Sequence, residues 1–267
     1  MAKIARVSHL QEFKNSGRKF SCLTSYDQFT AEIFDEAGIN VLLVGDSAAE
    51  NALAHDSVLA ITVDEIIPLG RAVAKAASRA LVVVDMPFGS YEAEPADAVR
   101  NAIKIMKETG AAAVKLEGGK RSSEQIKAIV EAGIPVMGHI GFTPQSVHAL
   151  GGFKVQGRGD SADQVMAEAL SVQEAGAFAV VLELVPADLA AKITQTLAIP
   201  TIGIGAGSET DGQIMVWTDF AGLTQGKPRK FVRQYVNLRE QLLSAASQYV
   251  ADVESSNFPN EAESFSD

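Results

Sequence analysis

Short apolar runs rich in Val, Ile and Leu recur along the chain, each closing on small or polar residues and followed by a longer stretch with helical periodicity. Runs of that length and composition read as strands buried on both faces. Their alternation with amphipathic stretches is the pattern of βαβ units around a parallel sheet. Strands are expected at residues 20–23, 41–44, 81–84, 113–116, 136–138, 179–182, 201–204 and 213–216. Helices are expected at 64–80, 96–110, 122–133, 162–176 and 186–197, several ending on a glycine, where a left-handed cap costs least. Glu36-Ala37-Gly38, Glu131-Ala132-Gly133 and Glu174-Ala175-Gly176 each precede a strand, a weak echo of repeated αβ turns rather than a sequence repeat.

Eight such strands predict an α/β fold closed into a single (β/α)8 barrel of the TIM type, occupying residues 1–267 as one domain. A C-terminal helix is expected over 231–253, and 254–267 reads as a loose acidic tail. The interval between Ile204 and Gln213 is too short for a crossover helix, which keeps a doubly wound open sheet as the alternative.

Composition narrows the function classes. A chain of 267 residues with 47% hydrophobic content and 22 glycines matches the length such a barrel needs as one core. With 23 basic against 33 acidic side chains the formal charge is -10, a field that repels phosphate backbones and argues against nucleic acid as a partner. Cys22 is the only cysteine, which excludes an intramolecular disulfide and a thiolate zinc cluster and fits a reducing, cytoplasmic setting. The start carries no signal-peptide core, and no apolar run reaches the roughly 20 residues of a membrane span.

In a parallel barrel the C-terminal strand ends share one mouth, and catalytic residues gather there. The expected strands end in Gly45-Asp46-Ser47, Asp85-Met86-Pro87-Phe88-Gly89, Lys115-Leu116-Glu117-Gly118-Gly119, Gly138-His139-Ile140-Gly141 and Leu182-Glu183. Carboxylates sharing a pocket disfavour one another's ionisation, and a divalent cation relieves the conflict. Oxygen donors without a His or Cys cluster favour a hard ion, so Asp46 and Asp85, with Glu117 behind them, are candidate magnesium ligands. The bland alternative is that each Asp caps the helix that follows. Lys115 lies two residues before Glu117 on the same strand face, either as a surface ion pair or as a point charge for a substrate carboxylate. Glu183, set among apolar neighbours, is either half of an internal salt bridge or a general base. His139 is a candidate substrate contact or a satisfied core histidine. Gly203-Ile204-Gly205-Ala206-Gly207 resembles a phosphate-cradling turn, although Glu209 and Asp211 follow it closely.

These motifs, together with Gly-Phe-Thr-Pro-Gln-Ser at 141–146, Gly-Gly-Phe-Lys-Val-Gln-Gly-Arg at 151–158 and Asp211-Gly212-Gln213, resemble in order the 3-methyl-2-oxobutanoate (ketopantoate) hydroxymethyltransferase family. The resemblance implies a β/α barrel that transfers a hydroxymethyl group from 5,10-methylenetetrahydrofolate to 3-methyl-2-oxobutanoate, giving ketopantoate for pantothenate and coenzyme A synthesis. It implies enolate formation stabilised by one Mg2+ per subunit, followed by aldol-type addition, in a homo-oligomer, commonly a decamer. It assigns metal binding to Asp46, Asp85 and Glu117, keto-acid contacts to Asp46, Ser47, Asp85 and Lys115, and proton abstraction to Glu183. The rival readings are a magnesium-dependent carbon-carbon lyase or mutase acting on a pyruvate-like acid and a non-catalytic barrel that binds keto acids.

Overall fold

The computed structural model describes residues 5–266, in two compact units, Met1–Val216 and Trp217–Asp267. In chain order the first unit comprises α1 (Val7–Asn15), β1 (Phe20–Thr24), α2 (Gln28–Glu36), β2 (Val41–Val44), α3 (Ala48–Asn51), α4 (Val63–Ala76), β3 (Leu81–Asp85), α5 (Pro95–Thr109), β4 (Ala113–Glu117), α6 (Ser123–Glu131), β5 (Val136–Gly141), α7 (Ala162–Glu174), β6 (Ala179–Glu183), α8 (Ala187–Thr196), β7 (Thr201–Ile204) and β8 (Gly212–Met215). All eight strands are parallel, and β8 pairs back onto β1 through Phe20 opposite Gly212, so the sheet is a closed barrel. This excludes the open doubly wound sheet. No helix bridges β7 and β8, as their spacing requires.

Every expected strand is present, and β3 to β6 each run one to three residues further than the apolar pattern suggested. The added residues are Asp85, Glu117, His139 to Gly141 and Glu183, all but Ile140 polar or small positions that hydropathy reads as loop. Helix α4 ends at Ala76 rather than at residue 80, because the Asp35 carboxylate accepts the backbone N–H groups of Ser78, Arg79 and Ala80 and holds them extended. Its start is fixed by a capping box, in which Thr62 and Glu65 each bond the other's backbone N–H. Helices α1 and α2 were not anticipated.

Inside the barrel, Leu81 and Val83, Ala113, Met137, and Ala179 and Val181 belong to one buried cluster with Phe20, Cys22, Val41, Leu43, Ile202 and Ile214. Leu10 of α1 joins it. Side chains two apart on a strand share a face, so continuing each strand by two residues turns Asp85, Lys115, Glu117, His139 and Glu183 inward. An apolar layer thus forms the floor beneath the polar residues. On the outer face Gly138 is a close-approach position, since a Cβ there would lie 2.4 Å from Val172 Cγ1 of α7.

The second unit contains α9 (Trp217–Phe220) and α10 (Leu238–Glu254). The C-terminal helix therefore begins seven residues later than the expected 231, because Tyr235 and Leu238 give their backbone N–H groups to the carbonyls of Phe220 and Ala221. Asn237 then caps α10 by accepting the Glu240 N–H. No residue of α10 is buried in the chain, and Leu242, Leu243, Tyr249, Val250 and Val253 form an exposed stripe at helical spacing. The segment read as a loose tail holds a short 3-10 turn, Glu261–Glu263, capped by Asn260. Among the described residues no helix is long and apolar enough to cross a membrane.

Candidate active site

Strand register brings the polar residues together. Asp85 lies opposite Lys115, Glu117 opposite His139, and Gly141 opposite Glu183 in neighbouring strands. Lys115 Nζ is 2.8 Å from Asp85 Oδ1, His139 Nδ1 is 3.3 Å from Glu117 Oε1, and His139 Nε2 is 3.3 Å from Glu183 Oε2. All five side chains, with Asp46, are buried. The surface ion pair is therefore excluded for Lys115, and Glu183 faces an imidazole rather than a guanidinium.

The helix-cap reading fails for the acids as well. Asp46 Oδ2 accepts from Gln145 Nε2 at 2.9 Å, Asp85 Oδ2 from the Asp46 backbone N–H at 2.9 Å, and Glu117 Oε2 from the Gln145 N–H at 3.0 Å. Each acid has one oxygen held by a donor of the fold. Asp85 Oδ1 and Glu117 Oε1 carry ion-pair contacts but no well-directed hydrogen bond, as does His139 Nε2. Gly45 lies close to this group, since a Cβ there would stand 2.8 Å from Ser47 Oγ and 3.5 Å from Asp85 Oδ2.

Electrostatics follow from burial and sign. Burial, then Asp85 and Glu117, push the Asp46 carboxyl up to about 8, against the opposing pull of Lys115 and Gln145. Asp85 is also raised, by burial first, with Lys115 opposing. Burial works against the Lys115 ammonium, but Asp85, Asp46 and Glu117 outweigh it and raise its pKa. Glu117 is lowered despite burial, because His139, Lys115 and the Gln145 N–H favour its charge. His139 is pushed up to about 9, with burial and Lys115 opposing and Glu117 and Glu183 prevailing.

Four acids, Asp46, Asp85, Glu117 and Glu183, thus face two basic side chains, Lys115 and His139, in a buried space where Asp46 and Asp85 are driven toward their neutral forms unless a cation offsets the charge. No three His, Cys, Asp or Glu side chains among the described residues are arranged to surround one metal ion. Magnesium does not need three, since it commonly takes one or two carboxylates and completes its octahedron with water and substrate oxygens. The all-oxygen donors, an Asp85 oxygen with an ion-pair contact but no directed hydrogen bond, and the surplus of buried acids over bases fit such an ion. Both oxygens of Asp85, like both of Glu117, already face protein donors, whereas Asp46 has only its Oδ2 held, by Gln145.

Three residues of the site carry no charge pattern that singles them out in the sequence. Tyr26 shares a 2.8 Å hydrogen bond with Ser47 Oγ, Tyr91 bonds Gln145 Oε1, and Gln145 touches two of the acids. Gln145 lies in the Gly-Phe-Thr-Pro-Gln-Ser motif, the one signal that could have found it. The 203–207 turn is held by its neighbours. Gln213 closes it by donating to the Gly207 carbonyl, and Asp211 is tied to Thr201 and Lys14.

The family model for ketopantoate hydroxymethyltransferase matches residues 5–261. The chain belongs to this family of hydroxymethyl-transferring enzymes. It is 60% identical to a 3-methyl-2-oxobutanoate hydroxymethyltransferase of Leifsonia xyli subsp. xyli, over 98% of this chain and 95% of that protein. A protein of the same name from Corynebacterium glutamicum is 57% identical, over 99% and 98%. Among solved structures, phosphonopyruvate hydrolase in complex with oxalate and Mg++ superposes with a TM-score of 0.62 at 12% identity, covering 97% of this chain and 93% of that one. A 2,3-dimethylmalate lyase superposes at 0.61 with 15% identity, covering 99% and 93%. At such identities these two speak for the barrel alone.

Proposed function

We propose that this ketopantoate hydroxymethyltransferase family member transfers the one-carbon unit of 5,10-methylenetetrahydrofolate to 3-methyl-2-oxobutanoate, forming ketopantoate on the route to pantothenate and coenzyme A. The observation that carries the reading is a buried glutamate, Glu183, 3.3 Å from a buried His139, beside a cluster in which buried acids outnumber bases. One magnesium ion per subunit, held by Asp46 and Asp85 with Glu117 behind them, would supply a fixed positive charge to the keto-acid oxygens.

The remaining steps fall to the chain. The Lys115 ammonium, already anchored to Asp85, holds the substrate carboxylate, and the Ser47 hydroxyl adds a hydrogen bond from a position fixed by Tyr26. Glu183 takes the proton from the branched carbon next to the carbonyl, its carboxylate oriented by His139 Nε2. A general base so placed contributes about 10²- to 10⁴-fold. The carbon left with the electron pair bonds to the folate methylene. The carbon-nitrogen bonds to that methylene break, water supplies the hydroxyl oxygen, and tetrahydrofolate leaves. The barrel floor of Val83, Ala113, Met137 and Val181 keeps bulk water from below.

We assign the exposed α10 stripe to contact with further copies of this chain, in line with the homo-oligomer, commonly a decamer, implied by the resemblance. The unpaired, buried Cys22 accords with the cytoplasm. The test is an assay of ketopantoate formation from keto acid, 5,10-methylenetetrahydrofolate and Mg2+, each omitted in turn. Absence of product from the complete mixture refutes the reading, and consumption of keto acid without the folate favours the lyase alternative.

A further inference from the structure

Gln145 is buried and follows Pro144 in the loop after β5, and every polar atom of its side chain is used. Its Nε2 donates to Asp46 Oδ2 at 2.9 Å and to the Met86 carbonyl at 3.1 Å, and its Oε1 faces the Tyr91 hydroxyl at 2.5 Å. Its backbone N–H meets Glu117 Oε2 at 3.0 Å. One residue therefore holds an oxygen of each of two acids that come from different strands.

The direction of these bonds is not arbitrary. The Glu117 backbone N–H, which can only donate, points at the Tyr91 oxygen at 3.2 Å. The Tyr91 hydroxyl has thus accepted from behind, and its own proton goes forward to Gln145 Oε1. With the amide oxygen committed to tyrosine, the amide nitrogen must face Asp46 and Met86, where both partners are acceptors. Reversing the amide would set two oxygens against each other in a buried space, a costly arrangement. Tyr91 fixes the sense of the amide, and the amide fixes Asp46.

We propose that Gln145, locked by Tyr91, is a positioning residue for divalent-cation binding, capping Asp46 Oδ2 so that Asp46 offers its remaining oxygen to the ion. This rests on the cation site of the proposed function and adds residues that neither bind the ion nor touch the substrate in that reading. Partners behind metal ligands commonly govern affinity by about 10- to 100-fold.

The experiment measures Mn2+ affinity by electron paramagnetic resonance, with Mg2+ as competitor, for the full chain and for Gln145→Met, Tyr91→Phe and the double variant, alongside thermal unfolding. Expected is a dissociation constant raised about 10- to 100-fold in Gln145→Met and less in Tyr91→Phe. The double variant should match Gln145→Met within about twofold, because the tyrosine acts through the amide. Should Gln145→Met fail to fold, Tyr91→Phe, which keeps the ring packing, carries the test alone with an expected weakening of several-fold. Unchanged Mn2+ affinity with a lowered unfolding temperature reduces both residues to packing and overturns the inference. Wild-type protein that binds neither ion overturns the cation reading itself, a result distinguishable from the first.

Discussion

Lys115→Met tests whether the buried acids share one field. The substitution keeps a chain of similar length and removes the ammonium, which is buried and 2.8 Å from Asp85 Oδ1. At an effective dielectric of about 20, charges at that separation attract by about 6 kcal/mol, and the desolvation of both groups offsets much of it. Removing one partner of a buried pair nevertheless leaves the other uncompensated, at a cost of about 3 to 5 kcal/mol. For a chain of this size that lowers the unfolding temperature by roughly 10 °C. The deficit should depend on pH with a definite sign. Asp46, already raised to about 8 with burial the leading cause and Lys115 opposing, rises further in the variant. A carboxyl raised on folding keeps its full stability below its unfolded value of 3.8 and erodes stability as pH climbs toward the folded one. The variant is therefore expected to lie nearest wild type at pH 5 and furthest at pH 8 in chelator, with added Mg2+ recovering part of the loss. Denaturant unfolding at both pH values, with chelator and with Mg2+, measures this. Equal stability of the two proteins at pH 8 without cation, or a deficit indifferent to pH, would refute the shared field.

Three further outcomes are expected. Glu183→Gln slows exchange of the substrate's β-hydrogen with deuterium, followed by proton NMR, by about 10²- to 10⁴-fold; an unchanged exchange rate removes Glu183 as the base. Gly141→Ala puts a Cβ 2.3 Å from the Glu183 carbonyl oxygen at a φ of +87°, so steric and backbone strain of about 2 to 4 kcal/mol should appear as a lower unfolding temperature. A fully stable variant would mean that the β5 and β6 ends are not held as described. Asp35→Ala strips the acceptor from three backbone N–H groups and the Ser78 hydroxyl, at a cost of about 3 kcal/mol at neutral pH. Although burial opposes it, these bonds lower the Asp35 pKa. Its contribution is present above 3.8 and fades as pH falls below that value, so urea unfolding of wild type and variant should converge in acid.

Hydrophobic periodicity alone determined a parallel α/β fold of eight strands, because apolar runs separated by amphipathic stretches have few other ways to bury both faces of each strand, whereas closure into a barrel was decided by β8 pairing onto β1. It also delivered the chemistry-bearing acids, since Asp46, Asp85, Glu117 and Glu183 stand where polar residues follow apolar runs. What the pattern could not carry was direction and pairing. Only β-register sets Asp85 against Lys115 and Glu117 against His139, and only inward alternation above Val83, Ala113, Met137 and Val181 makes them one site. The tertiary structure likewise decided where α4 stops, through a carboxylate on α2, and where α10 starts, through carbonyls more than a dozen residues upstream. Gln145 and Tyr91 escaped notice for the same reason. Neutral residues reveal a role only through the partners that long-range folding gives them, and no local pattern encodes a contact 99 residues away in the chain.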